Sequence, residues 1–102
     1  MKILVIGKSA REQAFIEAIV QSERAEKIFC IGGNPKIIKY AECVNIPFDD
    51  IHSMLDFALE NEIDLTIALD EYVIQNGITN LFKEQGLKIF APSLEAAQIG
   101  TS

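Results

Sequence analysis

Four runs of nearly unbroken apolar residues punctuate the chain: "KILVIG" at 2–7, "KIFCIGG" at 27–33, "LTIAL" at 65–69 and "LKIFAP" at 87–92. Short runs of this kind, closed by glycine or proline, fit strands buried on both faces of a parallel sheet. A weaker fifth candidate is "CVNI" at 43–46. The intervals between them carry helical spacing. In the first, Phe15, Ala18 and Ile19 form the expected inward stripe, with Gln13, Glu17, Gln21 and Ser22 mostly toward water. In the second, Ile51, Met54, Leu55, Ala58 and Leu59 fall at i, i+3, i+4, i+7 and i+8, and Asp49 or Asp50 stands where a cap belongs. Ile74, Gly77, Ile78, Leu81 and Phe82 repeat the spacing in a third helix, which Gly86 ends. Glycine inside a helix costs about 1 kcal/mol relative to alanine, so Gly77 on the packed stripe implies close approach of helix and sheet.

Strands alternating with helices predict an α/β fold: a Rossmann-like, doubly wound parallel sheet of about five strands with right-handed crossovers. The segment "SLEAAQIGTS" at 93–102 begins like another helix, with Ser93 as cap and Glu95 in the first turn, and breaks off without a hydrophobic closure. It reads as part of a domain cut from a longer chain.

At 102 residues the chain is one domain with room for a single continuous core. Apolar residues at 49% and charged residues at 24% fit an ordinary globular protein rather than a disordered one. A net charge of −6 leaves no basic stripe, which argues against a nucleic-acid partner. No apolar stretch approaches membrane-spanning length, and the residues before Gly7 are too few for a signal peptide, so no membrane partner and a cytoplasmic location are expected. Cys30 and Cys43 lack the partners of a zinc site and read as buried free thiols. The alternative, a redox pair, requires them side by side on neighbouring strands.

In open parallel sheets ligands collect beyond the carboxyl ends of the strands, where strand order reverses. If the first strand neighbours the fourth, that crevice is lined by Gly7 to Glu12 and by Asp70 to Tyr72. A G-x-G-x-x-G fingerprint would have Gly7, Ser9 and Glu12 at its glycine positions, so nicotinamide binding is not expected. The helix start after Gly7 can still hold one phosphate on its unpaired N–H groups, helped by Arg11. Against this, Ser9 and Glu12 form a capping box that would satisfy the same N–H groups. Asp70 and Glu71 could meet an amine, a ribose hydroxyl or a metal, or simply be solvated; Gly32-Gly33-Asn34-Pro35 is a turn that could admit a ligand. His52 falls on an exposed helix face. No nucleophile, base and oxyanion set can be assembled, so no catalytic residue and no metal ligand is assigned.

Taken together, these motifs resemble the N-terminal domain of the phosphoribosylamine–glycine ligase family, the glycinamide ribonucleotide synthetases of purine biosynthesis. That family opens with a G-N-G-G-R-E-H-A type loop; "GKSAREQA" keeps Gly7, Arg11, Glu12 and Ala14. Its P-G-N-A-G type turn is matched by Gly33 and Asn34 in "GGNPK". "IDLTIALDE" resembles I-D-L-T-I-V-G-P-E and retains Glu71, with a glycine shared at Gly77. "FKEQGLKIFAPSLEAAQ" resembles F-R-A-A-G-L-K-I-F-G-P-T-A-G-A-A-Q, with Pro92 and Gln98 in register.

The resemblance spans essentially all of 1–102 and implies a pre-ATP-grasp domain whose ATP-grasp and C-terminal parts are absent. It implies an enzyme that uses ATP and Mg2+ or Mn2+ to activate glycine as an acyl phosphate, which the amine of phosphoribosylamine attacks. On this likeness Gly7, Arg11, Glu12, Gly33, Asn34 and Glu71 contribute to the phosphoribosyl cleft, while ATP is held mainly by the missing parts, and the fragment alone is inactive. The departures are Ser9 and Ala10 for two glycines, Gln13 for histidine and Leu69-Asp70 for a Gly-Pro pair. Added side chains narrow a ligand's approach to the backbone. Two alternatives stay open: the front domain of another ATP-grasp ligase or carboxylase, and a noncatalytic small-ligand-binding module.

Overall fold

The computed structural model describes residues 1–7, 10–33 and 37–91, the side chains of residues 10 and 11 excepted. In chain order the elements are β1 (Lys2–Gly7), α1 (Ala10–Ile19), β2 (Lys27–Gly32), a 3₁₀ turn (Ile37–Lys39), β3 (Glu42–Val44), α2 (Ile51–Glu60), β4 (Leu65–Ala68), α3 (Glu71–Gln75), α4 (Ile78–Glu84) and β5 (Ile89–Phe90). All strand pairings are parallel, in the order β3-β2-β1-β4-β5. This is the expected Rossmann-like α/β sheet, with β1 at its centre. Val5 lies opposite Cys30 on one side and Ile67 on the other, which fixes the register of the three central strands.

The apolar runs are continuous because both faces of the sheet are covered, and their residues alternate between two layers. Leu4, Ile6, Phe29 and Ile31 pack with Met54, Leu55 and Ala58 of α2 and with Val73, Ile78 and Phe82. Phe29 also meets Phe57 edge to face, with ring centroids 5.2 Å apart. Ile3, Val5, Ile28, Cys30 and Ile67 pack on the opposite face with Ile16 and Ile37. The single core expected from chain length is therefore split by the sheet into two clusters.

Two helices depart from the sequence-based expectation. In α1 the inward positions are Glu12 and Ile16, with Ile19 packed partly against them; Phe15 is 38% exposed and Ala18 is exposed. A pattern that counts apolar residues cannot register a glutamate as an inward position, so it turned the stripe to the wrong side. The third helix is two helices. Gly77 joins α3 to α4 with a left-handed φ of +90°, and an added Cβ would meet nothing within 4 Å. The glycine serves the backbone turn, not a close approach to the sheet.

The caps explain where the other helices begin and end. Asp50, rather than Asp49, caps α2 by accepting from the Ser53 N–H at 3.1 Å. After α4 the chain turns through Gly86, and the Leu87 N–H reaches back to the Phe82 carbonyl at 3.0 Å. Among the described residues no helix is long and apolar enough to cross a membrane. The cap expected at Ser9, the helix start at Ser93, and Pro92 and Gln98 lie outside the described residues.

Candidate functional site: a crevice at the carboxyl edge of the sheet

Strand order reverses at β1, whose neighbours are β2 and β4. The connections leaving β1 and β4 therefore emerge side by side at the carboxyl edge, where parallel sheets form ligand crevices. Ile6 is opposite Ala68, which brings Gly7 level with Leu69 at the start of the next loop. The Leu69 N–H approaches the Ile6 carbonyl at 3.5 Å and continues the pairing one step past the strand.

The first wall is built on Gly7, at φ +152°. A Cβ at this position would overlap the Glu12 side chain, including its carboxyl group. Glu12 is only 2% exposed and folds back from α1 into the space that glycine leaves. The Gly7 carbonyl in turn accepts the Gly33 N–H at 2.9 Å, so the ends of β1 and β2 are held together. Beneath them the Cys30 thiol points at the same Gly7 carbonyl, at 3.5 Å. Burial pushes the Cys30 thiol up to about 12; the neighbouring Cys43 and Glu12 add to that rise, and a backbone hydrogen bond from Gly33 opposes it.

The second wall follows β4. Asp70 accepts the Val73 N–H at 3.2 Å and caps α3, which commits its carboxylate to the helix start. Glu71, the first residue of α3, is exposed. A third wall comes from the loop before α2: Phe48 packs so closely on Gly32 that a Cβ there would lie 2.7 Å from its ring.

Of the residues expected at the site, Gly7, Glu12 and Gly33 are in direct association, and Glu71 stands on the adjoining exit. Arg11 lies in α1 with its side chain outside the description, and Asn34 lies outside the described residues. Sequence reasoning did not assign Phe48 or Cys30 to this edge. The apolar residue in the "NIPFDD" loop was a signal for Phe48; Cys30 could be placed only once the register was known.

A shallow groove of about 670 Å³ lies over the outer end of the α1 face, lined among others by Val20, Lys27, Ile38, Tyr40, Glu42 and Cys43. The Lys27 ammonium there is already paired with Glu42 at 3.4 Å. This groove lies along the β2–β3 edge, away from the point where strand order reverses, so the topology favours the crevice. Among the described residues no group of three or more His, Cys, Asp or Glu side chains could hold a metal ion.

Residues 1–100 match the family model described as phosphoribosylglycinamide synthetase, N domain. The chain belongs to this family. It is 48% identical over 99 residues to a phosphoribosylamine–glycine ligase of Caldanaerobacter subterraneus subsp. tengcongensis. It is 40% identical over 99 residues to that of Clostridium acetobutylicum and 39% over 101 residues to that of Fusobacterium nucleatum. Each comparison takes in 97% of this chain but 23–24% of the relative, so the chain spans about a quarter of the length of the curated relatives it matches. Both exits of the crevice fall within the matched synthetase N domain.

Proposed function

We propose that this chain is the N-terminal domain, residues 1–102, of an ATP-dependent ligase that joins glycine to 5-phosphoribosylamine, and that its carboxyl-edge crevice forms part of the phosphoribosyl cleft. The observation that carries this reading is the convergence at Gly7, which lies level with the β4 exit and accepts a hydrogen bond from Gly33. A sugar phosphate needs this kind of rim: backbone N–H groups at a helix start for the anion, with a polar side chain across the gap for the sugar.

In this reading the start of α1 and Arg11 receive the phosphate, Gly33 and Asn34 form the adjoining wall, and Glu71 meets a ribose hydroxyl or the amine. Glu12 acts from below by filling the space under Gly7 and fixing the loop. ATP with Mg2+ or Mn2+ supplies activation of the glycine carboxylate, and the residues that hold them are assigned to the other parts of a longer chain. The full enzyme would work in the cytoplasm, and this domain alone would not turn over.

The test is a titration of the chain with ribose 5-phosphate at low salt, followed by amide NMR. A few hydrogen bonds of about 1 kcal/mol each give a dissociation constant on the order of millimolar. Shifts at Gly7, Gly33 and Glu71, weakened by Arg11→Ala, are expected. Signals that stay unmoved at both Gly7 and Glu71 would favour a noncatalytic module, and unchanged affinity in Arg11→Ala would remove that residue from the site.

A further inference from the structure

The fold places two cysteines where sequence spacing alone could not. Cys30 and Cys43 are register partners on the adjacent parallel strands β2 and β3. Such partners point to the same face, with strands roughly 4.8 Å apart. A disulfide accepts Cα separations of about 4.4–6.8 Å. The side chains converge on one point: a Cβ built on Gly33 would lie 2.7 Å from the Cys43 sulfur and 3.9 Å from the Cys30 sulfur. Both thiols are free, Cys30 buried and Cys43 exposed.

We propose that Cys30 and Cys43 form a reversible disulfide, made by exchange with a low-molecular-weight disulfide, that acts on the Gly33 wall of the crevice. The exchange balances in two steps. The Cys43 thiolate attacks one sulfur of the small disulfide, forms a mixed disulfide and expels one thiolate, which takes up the proton Cys43 lost. Cys30, deprotonated by solvent base, then attacks the Cys43 sulfur and expels the second small thiol. The protein dithiol is oxidised by two electrons, and the small disulfide is reduced to two thiols.

The order of attack follows from access. Cys43 lines the open groove on the α1 face, whereas Cys30 is sealed beneath Gly7 and Gly33. Burial raises both thiols above their ordinary value of 9.0, Cys30 to about 12, so both ionise sparingly and the exchange is slow at neutral pH. β3 is an edge strand of three residues, the element best able to shift as the sulfurs close to about 2.05 Å. That shift is transmitted to Gly33, against which the Cys43 sulfur rests, and to its bond with the Gly7 carbonyl. Only the consequence for ligand binding rests on the proposed function; the disulfide itself does not.

The experiment equilibrates the chain with glutathione and glutathione disulfide at pH 8, quenches with acid, alkylates and maps peptides by mass. A Cys30–Cys43 cross-linked peptide is expected, in a protein two hydrogens lighter that retains no glutathione and reverts fully with dithiothreitol. Cys43→Ser should abolish the exchange. Cys30→Ser, or Cys30→Ala if the serine unfolds the core, should stop at glutathione on Cys43. Oxidation should quicken about tenfold per pH unit between pH 7 and 8. Wild-type protein that accumulates glutathione on Cys43 without the cross-link, or keeps both thiols in excess glutathione disulfide, overturns the proposal. Amide NMR reads the coupling: the Gly33 resonance should move on oxidation, and an unmoved Gly33 would refute transmission to the crevice even if the bond forms.

Discussion

The two exits that frame the crevice solve the same problem in opposite ways. After β1 the chain removes a side chain at Gly7 and fills the vacated space with the buried Glu12 of a ten-residue helix. After β4 the turn itself carries side chains: Asp70 caps a five-residue helix and Glu71 faces water, and only at its far end does a glycine, Gly77, turn the chain into α4. The first exit is therefore a packed joint in which two residues depend on each other's size. The second is an assembly of local backbone devices, each separable from the rest. A ligand-binding rim made from both would be rigid on one side and adjustable on the other.

The packed joint gives the largest expected effect. Gly7→Ala adds a buried methyl group where the Glu12 side chain already sits, at a φ that favours glycine, and should cost about 3 kcal/mol in urea unfolding. Most of that cost should be coupling. In a Glu12→Ala background the collision disappears, and the same substitution should cost about 1–2 kcal/mol less. Equal costs in both backgrounds would show that the two exits differ in backbone conformation rather than in packing.

At the β4 exit, Asp70→Ala removes one side-chain cap and should cost about 1 kcal/mol, with Asp70→Asn recovering most of it. Gly77→Ala should come next, at about 1 kcal/mol or slightly less, arising only from the left-handed φ because the space around the site is open. Gly77→Asn should be milder than Gly77→Ala, since asparagine tolerates that region better. A double variant of Asp70 and Gly77 should be nearly additive, unlike the Gly7 and Glu12 pair.

How far the sequence could anticipate this follows from the same contrast. Strands buried on both faces advertise themselves as apolar runs, so β1, β2 and β4 were legible, whereas the neighbouring of β1 with β4 was a supposition from topology that the register bears out. Local caps were legible too, since Asp50 and Gly86 act through neighbours in sequence. What could not be read were contacts set by tertiary register: Glu12 under Gly7, Phe48 against Gly32, and Cys30 beside Cys43. Glu12 misled most, because a buried carboxylate in an inward position looks in sequence like a solvated one, and it moved the predicted stripe of α1 to Phe15 and Ala18. Gly77 misled differently: helical spacing continued across it, while the backbone did not.

The smallest effect compares the Asp70 cap with the third exit, after β3, where Asp50 caps α2. Asp50 accepts from both the Ser53 N–H at 3.1 Å and the Ser53 hydroxyl at 2.7 Å, and these bonds hold its carboxyl below the ordinary value of 3.8. A folded-state value lower than the unfolded one means that the charged cap's stabilisation is present above the unfolded value and is lost as pH falls through the folded one. The window thus lies at and below about pH 4. Ser53→Ala keeps the backbone donor but deletes the hydroxyl, so the Asp50 value should rise toward 3.8 and the acid-side loss of stability should shrink. Carboxyl-carbon NMR titration gives the first quantity, and urea midpoints at pH 5 and pH 3 give the second. Because Asp50 is only partly buried, the difference should be small and should fall further with added salt. An Asp50 titration that Ser53→Ala leaves unmoved would assign the shift to the helix start alone and make this cap equivalent to that of Asp70.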